Sequence, residues 1–214
     1  MSSDTYHHGH LREALLQAAQ AQIAAEGYQS LNLSKLARQL NVSQPAVYRH
    51  FASKQALVFS LVAEGFVLLS QRLETAAESV SMAALPANRE PSDSLIKGIE
   101  AIAQTYIDFV LEHRELARLM FSLKERATEP ELYKVSKRAA ATLFQWVDVG
   151  QQCYGLKVRS AEQAVRLIGA TIKGLAVMLM EEQMPYVTQT PGEIAVHAAA
   201  TARMLRDGVF LAAT

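Results

Sequence analysis

An all-α chain, with a three-helix helix-turn-helix domain at the N-terminus and a larger helical domain after it, follows from three features of the sequence. Apolar residues recur at three- and four-residue intervals along nearly every segment. Gly27, Pro86, Pro91, Glu129-Pro130, Gly155, Pro185 and Pro191 punctuate those segments, and no alternating strand pattern or internal repeat lies between them. Within 214 residues there is room for one small module and one larger core. The expected domains are 1–52 and 53–214, with a long helix at 53–81 shared between them.

The first helix is expected from Leu11 to Glu26, where Leu11, Leu15, Ala18, Ala19, Gln22 and Ile23 share a side and Gly27 ends it. Asn32 then caps a short helix whose Leu33, Leu36, Ala37 and Leu40 form an apolar face. Asn41 tolerates the left-handed backbone needed to reverse direction in so little chain. Ser43 caps the next short helix, in which Val47 and Phe51 point inward while Gln44, Pro45, Ala46, Tyr48, Arg49 and His50 fan outward. Two helices on so tight a turn, the second showing hydrogen-bonding groups, suit a DNA major groove about 12 Å wide.

The residue chemistry divides the exposed groups. Gln44 pairs naturally with adenine and Arg49 with guanine, and Ala46 fits a thymine methyl. Tyr48, His50 and Lys54 suit phosphate through a hydroxyl, an imidazole N–H and an ammonium. Pro45 is tolerated in the first helical turn, where its missing N–H has no helical partner, and bears on which bases are approached.

The run from Asn32 to Leu57, with Leu36-Ala37, Val42-Ser43, Tyr48, His50-Phe51, Lys54 and Leu57 at these spacings, resembles the DNA-binding domain of the tetracycline-repressor (TetR) family of transcriptional regulators. The stretch Tyr6-His7-His8-Gly9-His10-Leu11-Arg12-Glu13-Ala14-Leu15 resembles the family's usual beginning, so the likeness covers roughly the first 60 residues. The resemblance implies that Asn32, Ser34 and Lys35 also lie near the DNA backbone. It further implies a homodimer on a palindromic operator and a small-molecule inducer in the larger domain. Asn41 stands where glycine is usual, Asn32 where threonine is common and Gln55 where glutamate is common. The first two keep a left-handed turn and a cap, and the third removes a carboxylate from a helix N-terminus.

A long helix is expected from Ser53 to Ser81, its N-terminus near Lys54 offering a dipole and free N–H groups to phosphate. A loop at 82–93 follows, then helices at about 93–112, 115–123, 131–154, 160–184 and 192–210. Gly169, Ala170, Gly174 and Ala176 stud one of the last two, and Ala195, Ala198, Ala199, Ala200 and Ala202 the other. In the resembled family these helices form the dimer interface. Tyr106, His113, Phe121, Trp146, Tyr154, Thr171, Lys173 and Met178, with Arg118 and Met120, are the polar, aromatic and thioether groups on otherwise apolar helices expected to line a ligand pocket.

Charge and composition set limits. Lys plus Arg and Asp plus Glu both number 21, so no global basic signal exists. From Met1 to Ser60, however, five Lys or Arg face three Asp or Glu, a local balance of +2. Cys153 is alone, which excludes an intramolecular disulfide and fits a reducing cytoplasm. His7, His8 and His10 have no acidic or cysteine ligands beside them, so neither a metal nor a cofactor is expected, and a mobile arm touching DNA is the alternative for them. No run of 18 apolar residues exists, and no phosphate-binding glycine loop, nucleophile elbow or HExxH pair argues for an enzyme. A DNA-binding regulator or architectural protein controlled by a protein partner, without an inducer, remains the competing expectation.

Overall fold

The computed structural model describes residues 10–80, 93–123 and 129–211. Their helices are α1 (Leu11–Glu26), α2 (Leu33–Gln39), α3 (Gln44–His50), α4 (Lys54–Glu78), α5 (Asp93–Glu112), α6 (Arg114–Ser122), α7 (Pro130–Tyr154), α8 (Ala161–Met180) and α9 (Pro191–Val209). Among the described residues the only extended pairing is a single antiparallel bridge between Leu156 and Phe210. The expected loop at 82–93 falls almost wholly on residues outside those described, as do His7 and His8.

Helix ends follow local chemistry. Gly27 takes φ +77° to stop α1. Ser53 Oγ accepts from Ala56 N at 3.1 Å to open α4. Ser160 Oγ accepts from Gln163 N at 3.2 Å to open α8. Two C-termini come earlier than expected. α4 leaves helical geometry after Glu78, and α8 ends at Met180 rather than Met184. The second case has a clear cause: Pro185 disfavours helical backbone just before it, and Glu182 turns left-handed at φ +55°. Gln183 N then donates to Met178 O at 2.9 Å, closing the helix in a Schellman arrangement.

By their internal contacts the residues form two compact units, one spanning 1–66 and 113–134, the other 67–112 and 135–214. In the first, Leu15, Leu36, Val47 and Leu57 are fully buried, and α6 adds Ala117 and Met120 to the same core. Gly65 lets α6 approach closely, since a Cβ there would stand 2.8 Å from Met120 Sδ. The grouping of α6 with the N-terminal helices is a tertiary outcome that spacing along α6 does not encode.

In the second unit α5 is the central helix, packed on both α8 and α9. Ile99, Ile107 and Phe109 are fully buried there with Trp146 of α7. The chain end is clasped to the α7–α8 link by Lys157 N donating to Val209 O at 2.8 Å and Leu211 N to Gly155 O at 3.3 Å. Arg72 forks onto Glu112 at 2.5 and 3.2 Å, and Arg138 onto Glu74 at 3.1 Å twice. These pairs tie the last turns of α4 to α5 and α7.

α4 and α8 are long and apolar enough by length and composition to cross a membrane, although neither is an unbroken apolar run. In α4 half of the apolar window is buried within the protein; in α8 only 39% is. The unburied part of α8 mixes Leu167 and Met178 with polar groups such as Arg166 and Lys173.

One packing contact yields a direct prediction. A Cβ on Gly98 would lie 2.4 Å from the Trp146 indole, which is only 1% exposed and has nowhere to move. Overpacking costs about 1–3 kcal/mol, against a helix-propensity gain of about 1 kcal/mol for replacing glycine. Gly98→Ala is expected to lower the thermal midpoint, and an unchanged or raised midpoint would show that the indole yields.

Candidate nucleic-acid interface

The reading hairpin is built from its caps inward. Asn32 Oδ1 accepts from Ser34 N at 2.8 Å and Lys35 N at 3.2 Å, satisfying two otherwise orphaned donors of α2. At the far end Asn41 has φ +54°. Asn41 N donates to Arg38 O at 3.1 Å and Val42 N to Ala37 O at 2.9 Å. This is again a Schellman closure, with asparagine in the position that glycine usually takes. Ser43 Oγ then accepts from Ala46 N at 3.3 Å and starts α3.

Along α3, Val47 is fully buried, and Phe51 just beyond it is 2% exposed. Gln44, Pro45 and Arg49 are exposed, Ala46 and His50 are half-buried, and Tyr48 is 50% exposed. The outward arc therefore carries the amide and guanidinium expected to face base edges, with the phenol and imidazole along its borders. All four side chains with donors stand on one rigid seven-residue helix.

The lysines behave differently. Lys35 Nζ lies 2.5 and 2.7 Å from the two carboxylate oxygens of Glu26, at the end of α1. That hydrogen bond holds the Glu26 carboxyl below its ordinary range. Lys54 Nζ donates to Tyr28 O at 3.3 Å and Gln29 O at 3.4 Å, and sits 4.7 Å from the centre of the Tyr28 ring. Arg12 forms a further tie: its guanidinium lies 5.4 Å from the Phe51 ring centre, donates to Ser60 Oγ at 3.1 Å and meets Glu64 at 3.6 Å. Residue order does not reveal these partners, because each pair is separated by several turns or elements.

The residues expected to line a pocket divide between the two units. His113 and Phe121 are half-buried around α6 in the first unit, where Arg118 is exposed and Met120 buried, and the other six belong to the second. There Trp146 and Tyr154 are buried, while Tyr106 and Lys173 are half-buried. Thr171 donates its hydroxyl to Leu167 O at 2.8 Å within its own helix, and Met178 is 43% exposed. Trp146 lines a cavity of about 450 Å³ with Glu74, Glu78, Ala141 and Thr142. A second, more open cleft of about 520 Å³ lies along Gln71, Arg72 and Thr75 of α4 and Thr105 and Asp108 of α5. The last turns of α4 contribute Gln71, Arg72, Glu74, Thr75 and Glu78 to these walls. Among the described residues no group of three or more His, Cys, Asp or Glu is placed to hold a metal ion.

Comparison with known proteins accounts for both halves of the chain. A family model described as bacterial regulatory proteins, tetR family, matches residues 15–61. A second, tetracyclin repressor-like C-terminal domain, matches residues 99–207. An uncharacterized HTH-type transcriptional regulator of Bacillus subtilis (strain 168), YdgC, is 23% identical over 141 residues, 66% of each chain. A protein of unknown function from Rhodococcus sp. RHA1 shares the fold with a TM-score of 0.77 and 25% identity, over 95% of this chain and all of that one. The regulator FadR of Bacillus subtilis, solved in complex with stearoyl-CoA, superposes with a TM-score of 0.68 at 17% identity, over 92% of this chain and 98% of its own.

The Glu26–Lys35 pair makes a gain-of-function prediction. Both side chains are 45% exposed, so the pair is readily surrendered to a phosphate, leaving a carboxylate beside the DNA. Glu26→Gln is expected to raise affinity for any duplex, specific or not, and to steepen its salt dependence by about 0.9 in log–log slope. Fluorescence anisotropy across a salt series reads both, and an unaltered slope would mean that Lys35 does not meet the DNA.

Proposed function

The chain belongs to the tetR family of bacterial regulatory proteins, DNA-binding transcription factors rather than enzymes, and on that premise we propose that it is a cytoplasmic repressor. It binds a palindromic operator as a homodimer and leaves it when a small-molecule inducer occupies the second unit. The observation that carries this reading is the course of α4. That one unbroken helix starts after a three-residue link from α3, Phe51-Ala52-Ser53, and its last turns wall both the 450 and the 520 Å³ cavities. A ligand there touches the same helix that anchors the reading hairpin. To release DNA it must favour, by tighter binding, a conformation with its two α3 helices wrongly spaced.

Homodimerisation is supported by apolar surface on α8 and α9. Leu167 and Met178 on α8 and Val196 and Met204 on α9 are large side chains left exposed, Val196 to 63%. Beside Gly174 and Gly192 an added Cβ would meet nothing within 4 Å, so the helices there are open to close approach by another chain. Two α3 helices related by a twofold axis read two half-sites.

Within each half-site Gln44 and Arg49, with Ala46, face bases, while Tyr48 and His50 meet phosphate together with the capped start of α2 at Asn32, Ser34 and Lys35. As for the inducer, FadR in complex with stearoyl-CoA shows a regulator of this fold holding an amphipathic ligand. The cavities here have the size of ordinary small-molecule sites. Trp146, alanines and hydroxyls line them with two charged groups apiece, Arg72 and Asp108 in one and Glu74 and Glu78 in the other, which suits a molecule with an apolar body and a polar end.

Two measurements test this. Gln44→Ala is expected to cost about 1–3 kcal/mol mainly at one base position, whereas Tyr48→Ala weakens all sequences alike; equal losses across single-base operator variants for Gln44→Ala would remove its base-reading role. In a thermal-shift screen of metabolites, a true inducer raises the midpoint and also dissociates the operator complex. If every stabilising compound leaves the complex intact, the inducer reading fails and control by a protein partner takes its place.

A further inference from the structure

Lys54 would be expected to meet phosphate, being a cation on the first residue of α4 beside the reading helix. Its surroundings in the first unit say otherwise. The connector between α1 and α2 runs from Gly27 to Asn32, and four successive carbonyls along it are engaged by side chains. Gly27 O accepts from Ser30 Oγ at 2.7 Å and Ser30 O from Gln22 Nε2 at 2.8 Å. Tyr28 O and Gln29 O both accept from Lys54 Nζ, which also rests over the Tyr28 ring. Lys54 is 26 positions beyond Tyr28, and between them lie α2, the Asn41 turn, α3 and the short link through Phe51. The ammonium therefore closes a ring: connector, α2, α3, link, α4 and back to the connector.

We propose that Lys54 is a positioning residue for sequence recognition, closing the reading hairpin at its base onto the Tyr28–Gln29 connector rather than binding DNA phosphate. Three physical features favour this. A cation at the first position of a helix opposes the helix dipole, and the two carbonyls with the electron-rich ring face offset that disadvantage. Turning the ammonium towards a phosphate strips both carbonyls of their charged donor, and the bond to Tyr28 O is partly buried. Finally, the ring it closes contains every residue proposed to read bases, so the angle at which α3 meets the groove depends on it.

The proposal rests on the DNA-binding reading above, and its test separates the two. Wild-type protein is first used to select a duplex from a randomised library; Lys54→Met, Tyr28→Leu and the double variant are then titrated on that duplex and on a scrambled one over a series of KCl concentrations. Active fractions come from stoichiometric titration, well below each thermal midpoint, so that loss of folded protein is not counted as loss of affinity. Each single substitution is expected to weaken the selected duplex about tenfold, with the double variant no weaker than either, as groups in one network couple. Binding to the scrambled duplex and the salt slope stay unchanged. The proposal is overturned if Lys54→Met weakens both duplexes equally and lowers the slope by about 0.9, the signature of one lost phosphate contact. It is equally overturned if the two substitutions are additive, or if neither changes affinity. Should Lys54→Met not fold, Lys54→Gln is titrated in its place: selective weakening of the selected duplex at constant slope supports the role, and unchanged affinity or equal weakening of both duplexes rejects it. If wild-type protein selects no duplex, the DNA-binding reading falls and takes this role with it.

Discussion

A helix of seven residues does not persist in water on its own hydrogen bonds, so α3 exists because the protein holds it. Two side chains do most of the holding. Val47 and Phe51 are buried to the limit that their positions allow, and each contributes about 1.5–3 kcal/mol of transfer free energy. Since these two face inward, the polar arc from Gln44 to His50 has to face outward. The remaining features of the first unit refine the position of that short rod: the Ser43 cap, the left-handed Asn41, and the guanidinium of Arg12 over the Phe51 ring.

Precise placement carries a particular weight in a protein without net charge. Strongly basic DNA-binding proteins draw much of their affinity from phosphate, whatever the sequence. Here the overall charge is zero, and both lysines of the head are engaged within the protein, Lys35 by Glu26 and Lys54 by the connector. Such an arrangement sacrifices general attraction to DNA. On the DNA-binding reading proposed above, affinity then depends more heavily on matching α3 to particular bases, and the ratio of specific to non-specific binding rises.

The second unit shows a related economy. α5 is enclosed by α8 and α9, yet both of those helices keep large apolar side chains in the open, and α8 buries little more than a third of its apolar window. Val196 and Met204 stand in solvent in the single chain, which fits the homodimer proposed above. The forked pairs Arg72–Glu112 and Arg138–Glu74 tie down the final turns of α4 where it borders the cavities. A ligand entering either cavity therefore meets a helix whose position is held by polar contacts that are able to exchange partners.

Much of this was legible in the residues themselves. The helical period, the caps at Asn32, Ser43 and Ser53, the breaks at Gly27 and Gly155 and the inward pair Val47 and Phe51 are local properties, decided within one or two turns of chain. For that reason the helices fall within a few residues of their expected limits, and the largest overshoot, at α8, comes from giving the apolar run more weight than Pro185. Tertiary structure alone decided which distant groups meet. It paired Lys54 with Tyr28 and Gln29, and Lys35 with Glu26; it set α6 among the N-terminal helices and placed Trp146 on the wall of the 450 Å³ cavity. Periodicity states which side of a helix is buried. It does not state against what, because that depends on the crossing of helices far apart in the chain, and the partner of a charged side chain is fixed only once those crossings are made.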